Sequence, residues 1–543
     1  MKVQLYDTTL RDGAQREGIS FSAVDKLHIA RKLDELGIHF IEGGWPGSNP
    51  KDAEFFNAAR SLHLKNAKLV AFGATRRPRA KAEKDANLLA LADCGVEIAA
   101  LVGKSSHLQV TQVLETTLEE NLRMISDSIH FLRSRGMSVF FDAEHFFDGY
   151  KADPAYALRC LEAAAEAGAS CLVLCDTNGG SLPGHVSEVV RTVAGAFKVP
   201  IGVHVHNDSG LAVACSLAAV SSGAEQVQGT INGYGERCGN ANLCAVIPNL
   251  KLKLGIDCVT DEQLARLNDV AHYISEIANL VPDPFAPYVG SSAFAHKGGL
   301  HASGMAKWEG SYQHIDPALV GNKPRVIVSE LSGKGNIIYK AKELGFDLSK
   351  EGDAHKLLEQ VKHRESLGFQ YDHAEASFEL LIRRALPDYQ PLFKLVDFMV
   401  IVEKRRRAPS RRSQAEEMLS EAIVKVTVGE EIMHTAAEGN GPVNALDNAL
   451  RKALLPFYPR VGQVKLVDYK VRILEESTGT ESQVRVLIES SDGADEWHTV
   501  GSSTNIIEAS WMALADSLEY WLIKNSSKLN AESSGVRTEA GTQ

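Results

Sequence analysis

The first half of this chain alternates short apolar segments with helical patterns, and this alternation restricts its possible folds more than any other feature. Eight segments of strand length precede residue 232, among them Lys68 to Phe72, Cys171 to Cys175 and Ala224 to Ile231. Amphipathic helical patterns such as Ser22 to Leu36 lie between them. Strands and helices that alternate through short turns form parallel βαβ units. Eight such units predict an α/β chain that begins with a closed (β/α)8 TIM barrel.

An open, doubly wound parallel sheet is the competing arrangement of the same elements. No GxGxxG turn follows the first strand, which favours the barrel. In a barrel, the side chains at the carboxyl ends of the strands surround one site. The polar residues that we predict at those ends are Asp12, Glu42, Glu144, Asp176, Thr177, His204, His206 and Glu236.

Two histidines one residue apart, His204 and His206, stand at the end of the apolar run from Val199 to Val205. Side chains two positions apart on a strand point to the same face. Two imidazoles on one rigid face are two ligands for a divalent metal. Alternatively, the two histidines are ordinary polar residues at the end of a strand, without a metal. The glycine-bearing polar turns around Asp12 and Asn240, at either end of the barrel segment, favour the metal site.

Composition predicts a cytoplasmic globular protein of two to four domains in 543 residues. The net charge of -11 argues against binding to nucleic acid or to an anionic membrane. The sequence has no uninterrupted run of twenty apolar residues, so we expect no transmembrane helix. The first residues predict a strand rather than a signal peptide. The 8 cysteines lie between Cys94 and Cys258 without a CxxC pair, which suits reduced thiols.

The pattern changes after the barrel, which we assign to residues 1–265. For residues 266–400, the sequence pattern predicts a mostly helical linker region that contributes to the active site. Residues 401–525 predict an α+β regulatory domain of two strand-rich units, each with one amphipathic helix and with a small-molecule cleft between them. The basic run from Lys404 to Arg412 is interpreted as an exposed loop or a domain junction. Residues 526–543 are polar and are expected to be a disordered tail.

Four motifs carry a family resemblance: DTTLRDG, HVHND, GYGERCGNANL and FAHKGGLHASG, in this order. Together they resemble the metal-dependent Claisen-condensing synthases, which include 2-isopropylmalate, homocitrate and citramalate synthases. This family shares its barrel with the hydroxymethylglutaryl-CoA lyases. The resemblance extends from Val3 to about Asn525. Within the family, DGAQREGISFS and IEGGWPGSNPKD most resemble the citramalate synthase branch.

The resemblance implies a divalent metal bound by Asp12, His204, His206 and Asn240. A carboxylate, two neutral nitrogens and an amide oxygen suit Zn, Mn, Mg or Co, and the sequence does not choose among these metals. The metal would act as a Lewis acid that polarises the ketone of a 2-oxo acid.

The resemblance also implies roles in catalysis and substrate binding. Arg11 would neutralise an oxyanion, although a structural salt bridge at the barrel mouth is the alternative. His301 is expected to act as the general acid or base because an imidazole titrates near neutrality. The expected catalytic residues are Arg11, Glu144, Glu236, His301 and Tyr312, and the expected substrate-binding residues are Arg11, Glu144 and Thr177.

The implied activity is an acyl transfer in which acetyl-CoA condenses with pyruvate and water to give citramalate and CoA, for isoleucine biosynthesis that does not start from threonine. Use of 2-oxoisovalerate or 2-oxoglutarate, as in 2-isopropylmalate or homocitrate synthases, is an alternative. A carbon–carbon lyase and a non-catalytic regulatory protein are further alternatives. The C-terminal domain implies a homodimer with isoleucine as a possible feedback ligand.

Overall fold

A computed structural model of the chain describes residues 3–327, 334–346, 353–371, 374–386, 389–404, 418–474 and 482–536. These residues form two compact units. The first unit runs to Phe294 and also includes His314–Pro324. The second unit comprises Ala295–Gln313 and the chain from Arg325 onwards.

Eight parallel strands of the first unit pair in sequential order, and the last pairs with the first to close the barrel. The predicted TIM barrel is therefore confirmed. The strands are β1 Gln4–Asp7, β2 Phe40–Gly44, β3 Lys68–Ala74, β4 Ile98–Lys104, β5 Ser138–Glu144, β6 Cys171–Asp176, β7 Ile201–Val205 and β8 Gln226–Gly229.

Helices connect these strands and cover the outside of the barrel. Local sequence sets their ends: Ser22 and Asp25 form a reciprocal capping box at the start of the first helix, and Gly37 ends it in the left-handed conformation with φ 88°. The helices are α1 Ala23–Leu36, α2 Pro50–Ala59, α3 Ala86–Asp93, α4 Leu118–Ser134, α5 Phe146–Ala152, α6 Pro154–Glu166, α7 Pro183–Ala196, α8 Ala212–Ser221, α9 Leu243–Pro248, α10 Asp261–Leu264 and α11 Leu267–Ile277.

Aromatic side chains fill the interior of the barrel. The rings of Phe40 and Phe140 meet edge to face at 5.0 Å between centroids, and Tyr6 lies 6.2 Å from each. All three belong to one buried cluster with aliphatic residues of the neighbouring strands. A TIM barrel with a packed interior is expected to carry its functional site at the rim, at the carboxyl ends of the strands.

The first unit continues beyond residue 265, which is the end that we predict for the barrel domain. Helix α11 belongs to this unit, and its Leu267, Val270 and Ile274 are buried in the core around the barrel. An apolar stripe at helical spacing explains this packing, because the stripe needs a partner surface. The segment His314–Pro324 also returns to this unit and buries Val320 in the same core.

The second unit begins with a short parallel strand pair and four helices. These are β9 Ala295–His296, β10 Arg325–Val326, α12 Gly299–Lys307, α13 Lys334–Glu343, α14 Asp353–Ser366 and α15 Glu375–Ala385. A buried cluster that includes Ile337, Leu357 and Phe378 packs helices α13, α14 and α15 together. The helical character that we predict for this region is therefore present.

Two similar strand-rich modules follow, each made of a three-stranded antiparallel sheet and one helix. This arrangement confirms the predicted α+β domain and the internal echo in its sequence. The first comprises β11 Lys394–Lys404, β12 Met418–Val428, β13 Glu431–Gly439 and α16 Pro442–Leu454, and the second comprises β14 Lys465–Ile473, β15 Val484–Ser491, β16 Glu496–Ser503 and α17 Ile506–Val536.

Two bounds that we predict for this region differ from those in the structure, and other predicted segments lie outside the described residues. Strand β11 begins before residue 401, and α17 continues past residue 525, where the tail was expected to begin. The basic run lies, apart from Lys404, outside the described residues, as do residues 537–543. Within the described part of the chain, no helix has both the length and the apolar character needed to span a bilayer.

A buried ion pair holds the turn after β2. The Lys26 ammonium donates to Asp52 Oδ1 at 2.5 Å and to the Gly43 carbonyl at 2.9 Å. The second Asp52 oxygen accepts the backbone N–H of Trp45 at 2.7 Å. Burial lowers the pKa of Lys26, and the Asp52 carboxylate opposes this effect. The pair therefore fixes the backbone that presents Trp45 at the barrel rim.

We expect Lys26→Ala to lower the free energy of unfolding of the barrel by about 3–5 kcal/mol, because Asp52 would stay buried without its partner. Lys32→Ala on the same helix is the matched control. Lys32 pairs with Asp269 at 3.0 Å on the surface, where a pair contributes about 0–1 kcal/mol. Urea denaturation of both variants measures the difference. Equal unfolding midpoints would contradict a stabilising role for the buried pair.

Candidate active site

Three side chains meet at the rim of the barrel. His204 lies on β7, His206 follows that strand directly, and Asp12 follows β1. Their ligand atoms all lie within 4.8 Å of one another. His204 Nε2 is 3.5 Å from Asp12 Oδ2, His206 Nε2 is 3.8 Å from it, and the two Nε2 atoms are 3.3 Å apart. Ligand atoms about 2.1 Å from one metal ion lie roughly 3.0–3.5 Å apart, so this spacing suits a shared cation.

Asn240, the fourth predicted ligand, reaches the same place through the turn after β8. Its backbone forms an isolated bridge with His206, and its side-chain amide donates to the Tyr234 carbonyl at 3.2 Å. Asn240 Oδ1 and Asp12 Oδ1 are buried and have no hydrogen-bond partner. Buried polar oxygens are nearly always paired, so these two acceptors fit a bound cation. The donor set is therefore a possible metal site.

Close backbone contact shapes the turn that carries Asn240. Gly239 has φ 87°, and a Cβ atom there would lie 1.9 Å from the Gly233 carbonyl oxygen. Only glycine fits such an approach. The glycines of GYGERCGN therefore fold the turn tightly enough to place Asn240 beside His206.

A glutamine orients one of the histidines. His204 Nδ1 lies 3.1 Å from Gln228 Oε1 on β8, and the Gln228 amide donates to Gln226 Oε1 at 3.2 Å. The glutamine oxygen can only accept, so Nδ1 carries the proton and Nε2 is left to face Asp12. A partner of this kind fixes the tautomer that a metal needs.

The pKa values of Asp12, His204 and His206 are all shifted. Burial alone would raise the pKa of Asp12, but Arg11 and the two histidines hold it well below its usual range. Burial and the neighbouring His204 lower the pKa of His206 to about 4. Burial opposes protonation of His204 too, yet Asp12 raises its pKa above the ordinary value. Near neutral pH, Asp12 is therefore ionised and His206 is neutral, which are the forms that bind a cation.

Arg11 is held by a buried carboxylate at the end of β2. Glu42 is fully buried and accepts three hydrogen bonds at 2.6 Å each, from Tyr6 Oη, Thr8 Oγ1 and Arg11 Nε. The Arg11 guanidinium also donates to Asp12 Oδ2 at 3.2 Å and lies 3.9 Å above the ring of Phe72. Burial would lower the pKa of Arg11, but Glu42 and Asp12 raise it. The site therefore contains a fixed positive charge.

One cavity of about 460 Å³ opens at this rim and brings most of the predicted residues together. The Glu144 carboxylate lies 2.5 Å from Lys104 Nζ. The Thr177 hydroxyl accepts the backbone N–H of His145 at 2.8 Å, which leaves its own proton to donate. The predicted residues on the cavity wall are Arg11, Asp12, Glu144, Thr177, His206 and Glu236.

His301 and Tyr312, the predicted proton-transfer residues, belong to the second unit. Their rings stack with 4.1 Å between centroids and an interplanar angle of 16°. His296 lies 5.9 Å from His301 and 6.5 Å from Tyr312 by the same measure. Tyr312 is 42% exposed. The structure thus brings these two residues together within the second unit.

Two residues that contact the predicted site residues, Gln228 and Lys104, are not among those predicted from the sequence. Gln228 is a polar residue in a short apolar strand, and its alternation with Gln226 is the signal that could have placed it inside the barrel. Lys104 is the last residue of β4. A polar residue at the carboxyl end of a barrel strand is the signal that could have identified it.

The chain matches three protein families over successive ranges. Residues 2–274, half of the chain, match HMGL-like proteins. This chain belongs to the HMGL-like family. Residues 288–367 match the homocitrate synthase post-HMGL domain-like family, and residues 372–522 match the LeuA allosteric (dimerisation) domain. The combination is that of the 2-isopropylmalate and homocitrate synthases, as the sequence motifs predict. Family members are metal-dependent and use acetyl-CoA.

Five relatives named (R)-citramalate synthase are 47–53% identical to this HMGL-like chain. The one from Geobacter sulfurreducens is 53% identical over 524 residues, which cover 96% of this chain and 98% of that protein. A 2-isopropylmalate synthase from Methanocaldococcus jannaschii is 32% identical over 524 residues, 96% of this chain and 95% of that protein. The crystal structure of the Bacillus subtilis HMG-CoA lyase matches with a TM-score of 0.45 and 22% identity, over 52% of this chain and 96% of that chain.

We expect Gln228→Leu to lower the affinity for a divalent metal about 10–100-fold, because His204 would lose the partner that fixes its tautomer. His204→Ala should remove a ligand and lower affinity further. His130→Ala, on the surface of α4, is the matched control and should keep its metal. A chelator-competition titration with metal analysis measures the three affinities.

The same titration tests the charge state of the site. Metal binding must displace the proton that Asp12 favours on His204, so affinity should fall as pH drops through the raised pKa of His204. It should be constant above that pKa. An affinity that does not depend on pH, or a Gln228→Leu variant with unchanged affinity, would contradict this assignment of the ligands.

Proposed function

We propose that this chain is an (R)-citramalate synthase, a cytoplasmic enzyme that transfers an acetyl group and converts it to an alkyl group. The observation that carries this proposal is the 47–53% identity to five proteins of that name, over about 95–96% of the chain. The intact group of Asp12, His204 and His206 supports it further.

The proposed reaction joins the methyl carbon of acetyl-CoA to the ketone carbon of pyruvate. One proton leaves the methyl group, and the ketone oxygen becomes the hydroxyl of citramalate. Water then cleaves the carbon–sulfur bond of the thioester and releases CoA. The two difficult points are the weak acidity of the methyl group and the negative charge that develops on oxygen.

A bound divalent cation such as Zn, Mn, Mg or Co would supply Lewis acidity toward the 2-oxo acid. Arg11, fixed by Glu42 and Phe72, provides a positive charge for the developing oxyanion without reorganisation. Thr177 can donate its free hydroxyl proton to the carboxylate of the substrate. Glu144, fixed by Lys104, offers an acceptor that orients the other reactant.

We assign proton transfer to His301, with Tyr312 as the relay and Glu236 orienting a water molecule. Support comes from the FAHKGGLHASG motif and from the stacked, solvent-accessible arrangement of His301 and Tyr312. The alternative substrates have weaker support. The 2-isopropylmalate synthase of Methanocaldococcus jannaschii is 32% identical to this chain, and a lyase would not need the LeuA domain.

Trp45 supports pyruvate as the 2-oxo acid because it occupies volume on the cavity wall. Its indole N–H donates to Asn87 Oδ1 at 2.5 Å, and its ring meets Phe72 edge to face at 5.3 Å. The indole is therefore fixed rather than free to swing away from a larger substrate.

Initial rates with acetyl-CoA and a panel of 2-oxo acids, followed by release of free thiol, test the proposed function. We expect kcat/KM to be highest for pyruvate, with residual activity on 2-oxobutyrate, because one methylene changes it only about 10–200-fold. A higher value for 2-oxoisovalerate or 2-oxoglutarate would contradict the proposal. Trp45→Ala should shift the preference toward the larger acids, whereas Leu108→Ala, at an exposed site, should leave the order unchanged.

We expect His301→Ala to lower kcat strongly while the KM for pyruvate changes little, because a general base acts on the transition state rather than on ground-state binding. Tyr312→Phe should show a smaller effect of the same kind. His314→Ala, a histidine that we place outside the relay, serves as the control. If His301→Ala raised only the KM for pyruvate, the residue would bind substrate instead.

The C-terminal domain supports a homodimer. Its match to the LeuA allosteric (dimerisation) domain covers residues 372–522. Strands β11 and β14 are edge strands of their sheets, and they expose apolar side chains such as Val396, Met399, Val467 and Val471. Exposed apolar edges in a folded protein mark surfaces for association. We propose that the same domain senses isoleucine, the end product that citramalate would serve.

Isoleucine should bind the full-length chain and inhibit it, whereas leucine should bind more weakly. Inhibition requires that isoleucine bind a less active arrangement more tightly than the active one. Calorimetric titration gives the affinities, and initial rates give the inhibition. A chain truncated before β11, at about residue 390, should lose inhibition. Unchanged inhibition after truncation would exclude this role for the domain.

A further inference from the structure

A second cavity of about 460 Å³ lies beside the active-site cavity on the barrel unit. It is formed by the turns that follow β2 and β3, at the same rim as the metal ligands. The two cavities share the wall residues Trp45, Ala74, Thr75 and Arg77. A long ligand could therefore have its reacting end in the first cavity and its other end in the second. The residues already assigned to the reaction do not account for this space.

The loop of residues 75–85, here called the basic loop, contains four cations besides Arg76: Arg77, Arg79, Lys81 and Lys84. Arg77 and Lys84 line the cavity. Among the residues that the structure describes, none of the four has an ion-pair partner within 4.0 Å. The Asp85 carboxylate also lines the cavity, but it faces three backbone N–H donors rather than any of the four side-chain cations. The side-chain charges of the basic loop are therefore available to an anion.

The basic loop is held in place by its one buried arginine. The Arg76 side chain is 4% exposed and donates to Asp127 at 2.8 and 2.9 Å and to Glu120 at 2.8 Å. Glu120 also accepts the backbone N–H of Arg79 at 2.9 Å. Arg76 is chiefly responsible for lowering the pKa of Glu120 to about 2. Two carboxylates thus fix the loop without neutralising its other four cations, which outnumber the two acids of the loop, Glu83 and Asp85.

We propose that Arg77 and Lys84 bind the phosphate groups at the nucleotide end of the acyl-CoA substrate. This inference rests on the proposed function. Such a thioester is reactive at one end and carries several phosphate charges at the other, joined by a long uncharged arm. The shared wall at Trp45 and Ala74 offers a passage for that arm. Unpaired arginine and lysine side chains on a fixed loop are suited to phosphate oxygens.

A comparison of two acetyl donors tests this site in the full-length, metal-loaded enzyme. Acetyl-CoA carries the phosphates, and S-acetylpantetheine has the same thioester and arm without them. For Arg77→Ala/Lys84→Ala, we expect the ratio of kcat/KM for acetyl-CoA to that for S-acetylpantetheine to fall about ten-fold or more. The matched control is Lys68→Ala. Lys68 starts β3 at the opposite end of the same strand, with its side chain 64% exposed, and its removal should not change the ratio.

Calorimetric titration with adenosine 3′,5′-bisphosphate supplies a readout that needs no turnover. The unmodified chain and Lys68→Ala should bind this nucleotide alike, and the double variant should bind it about ten-fold more weakly. Inorganic phosphate at the same concentrations should compete poorly, because it lacks the nucleoside. This titration does not depend on the 2-oxo acid. It therefore distinguishes failure of the proposed phosphate site from failure of the proposed function.

An unchanged donor ratio in the double variant would overturn the proposal, as would unchanged nucleotide affinity. Circular dichroism of the variant should match that of the unmodified chain, because Arg76 and its two carboxylates hold the loop. Lys84→Glu provides a second variant in which the loop backbone is retained and the charge is reversed. It should weaken nucleotide binding more than Lys84→Ala does, and equal binding by the two would also overturn the proposal.

Discussion

The hydrogen bonds between β1 and β8 are the interaction on which the rest of this site depends. They close the sheet, with Tyr6 on β1 opposite Gln228 on β8. Closure turns eight strand ends into one rim, so Asp12 from the first turn lies beside His204 from the seventh strand. Each ligand is only a polar residue at the end of a strand until the ring is complete. The metal site is therefore a property of the whole barrel and not of any single segment.

Charge is concentrated at this rim, and nearly every charge there has a defined partner. Glu42 is fully buried and accepts three donors, and Arg11 is placed between Glu42 and Asp12. An unpaired buried charge costs several kcal/mol, so a fold can retain such a group only with partners of this kind. One oxygen of the buried Asp142 carboxylate lacks a donor, and so do Asp12 Oδ1 and the amide oxygen of Asn240. A cation bound with the two imidazoles would compensate the oxygens of Asp12 and Asn240.

Sequence could predict the barrel, the two histidines and Asp12, because strand alternation and helical periodicity are local signals. Alternation could place Gln228 inside the barrel, but it could not show the contact with His204, which depends on the register of β8 against β7. The extension of the first compact unit beyond residue 265 has no local signal either. Helix α11 reads like any amphipathic helix, and the partner of its apolar face is visible only in three dimensions. His301 illustrates the same limit, since a motif gives a residue type but not the surroundings that decide its chemistry.

The aromatic packing of Tyr6, Phe40 and Phe140 has a consequence for how reactants reach the metal ligands. Within the described residues, these rings and the aliphatic side chains packed with them fill the interior of the barrel. The cavity at the rim is therefore the side from which reactants are expected to approach Asp12 and His206. A small 2-oxo acid bound against these ligands would leave the outer part of the cavity to its larger partner. Approach from one side would favour an order in which the small acid binds first.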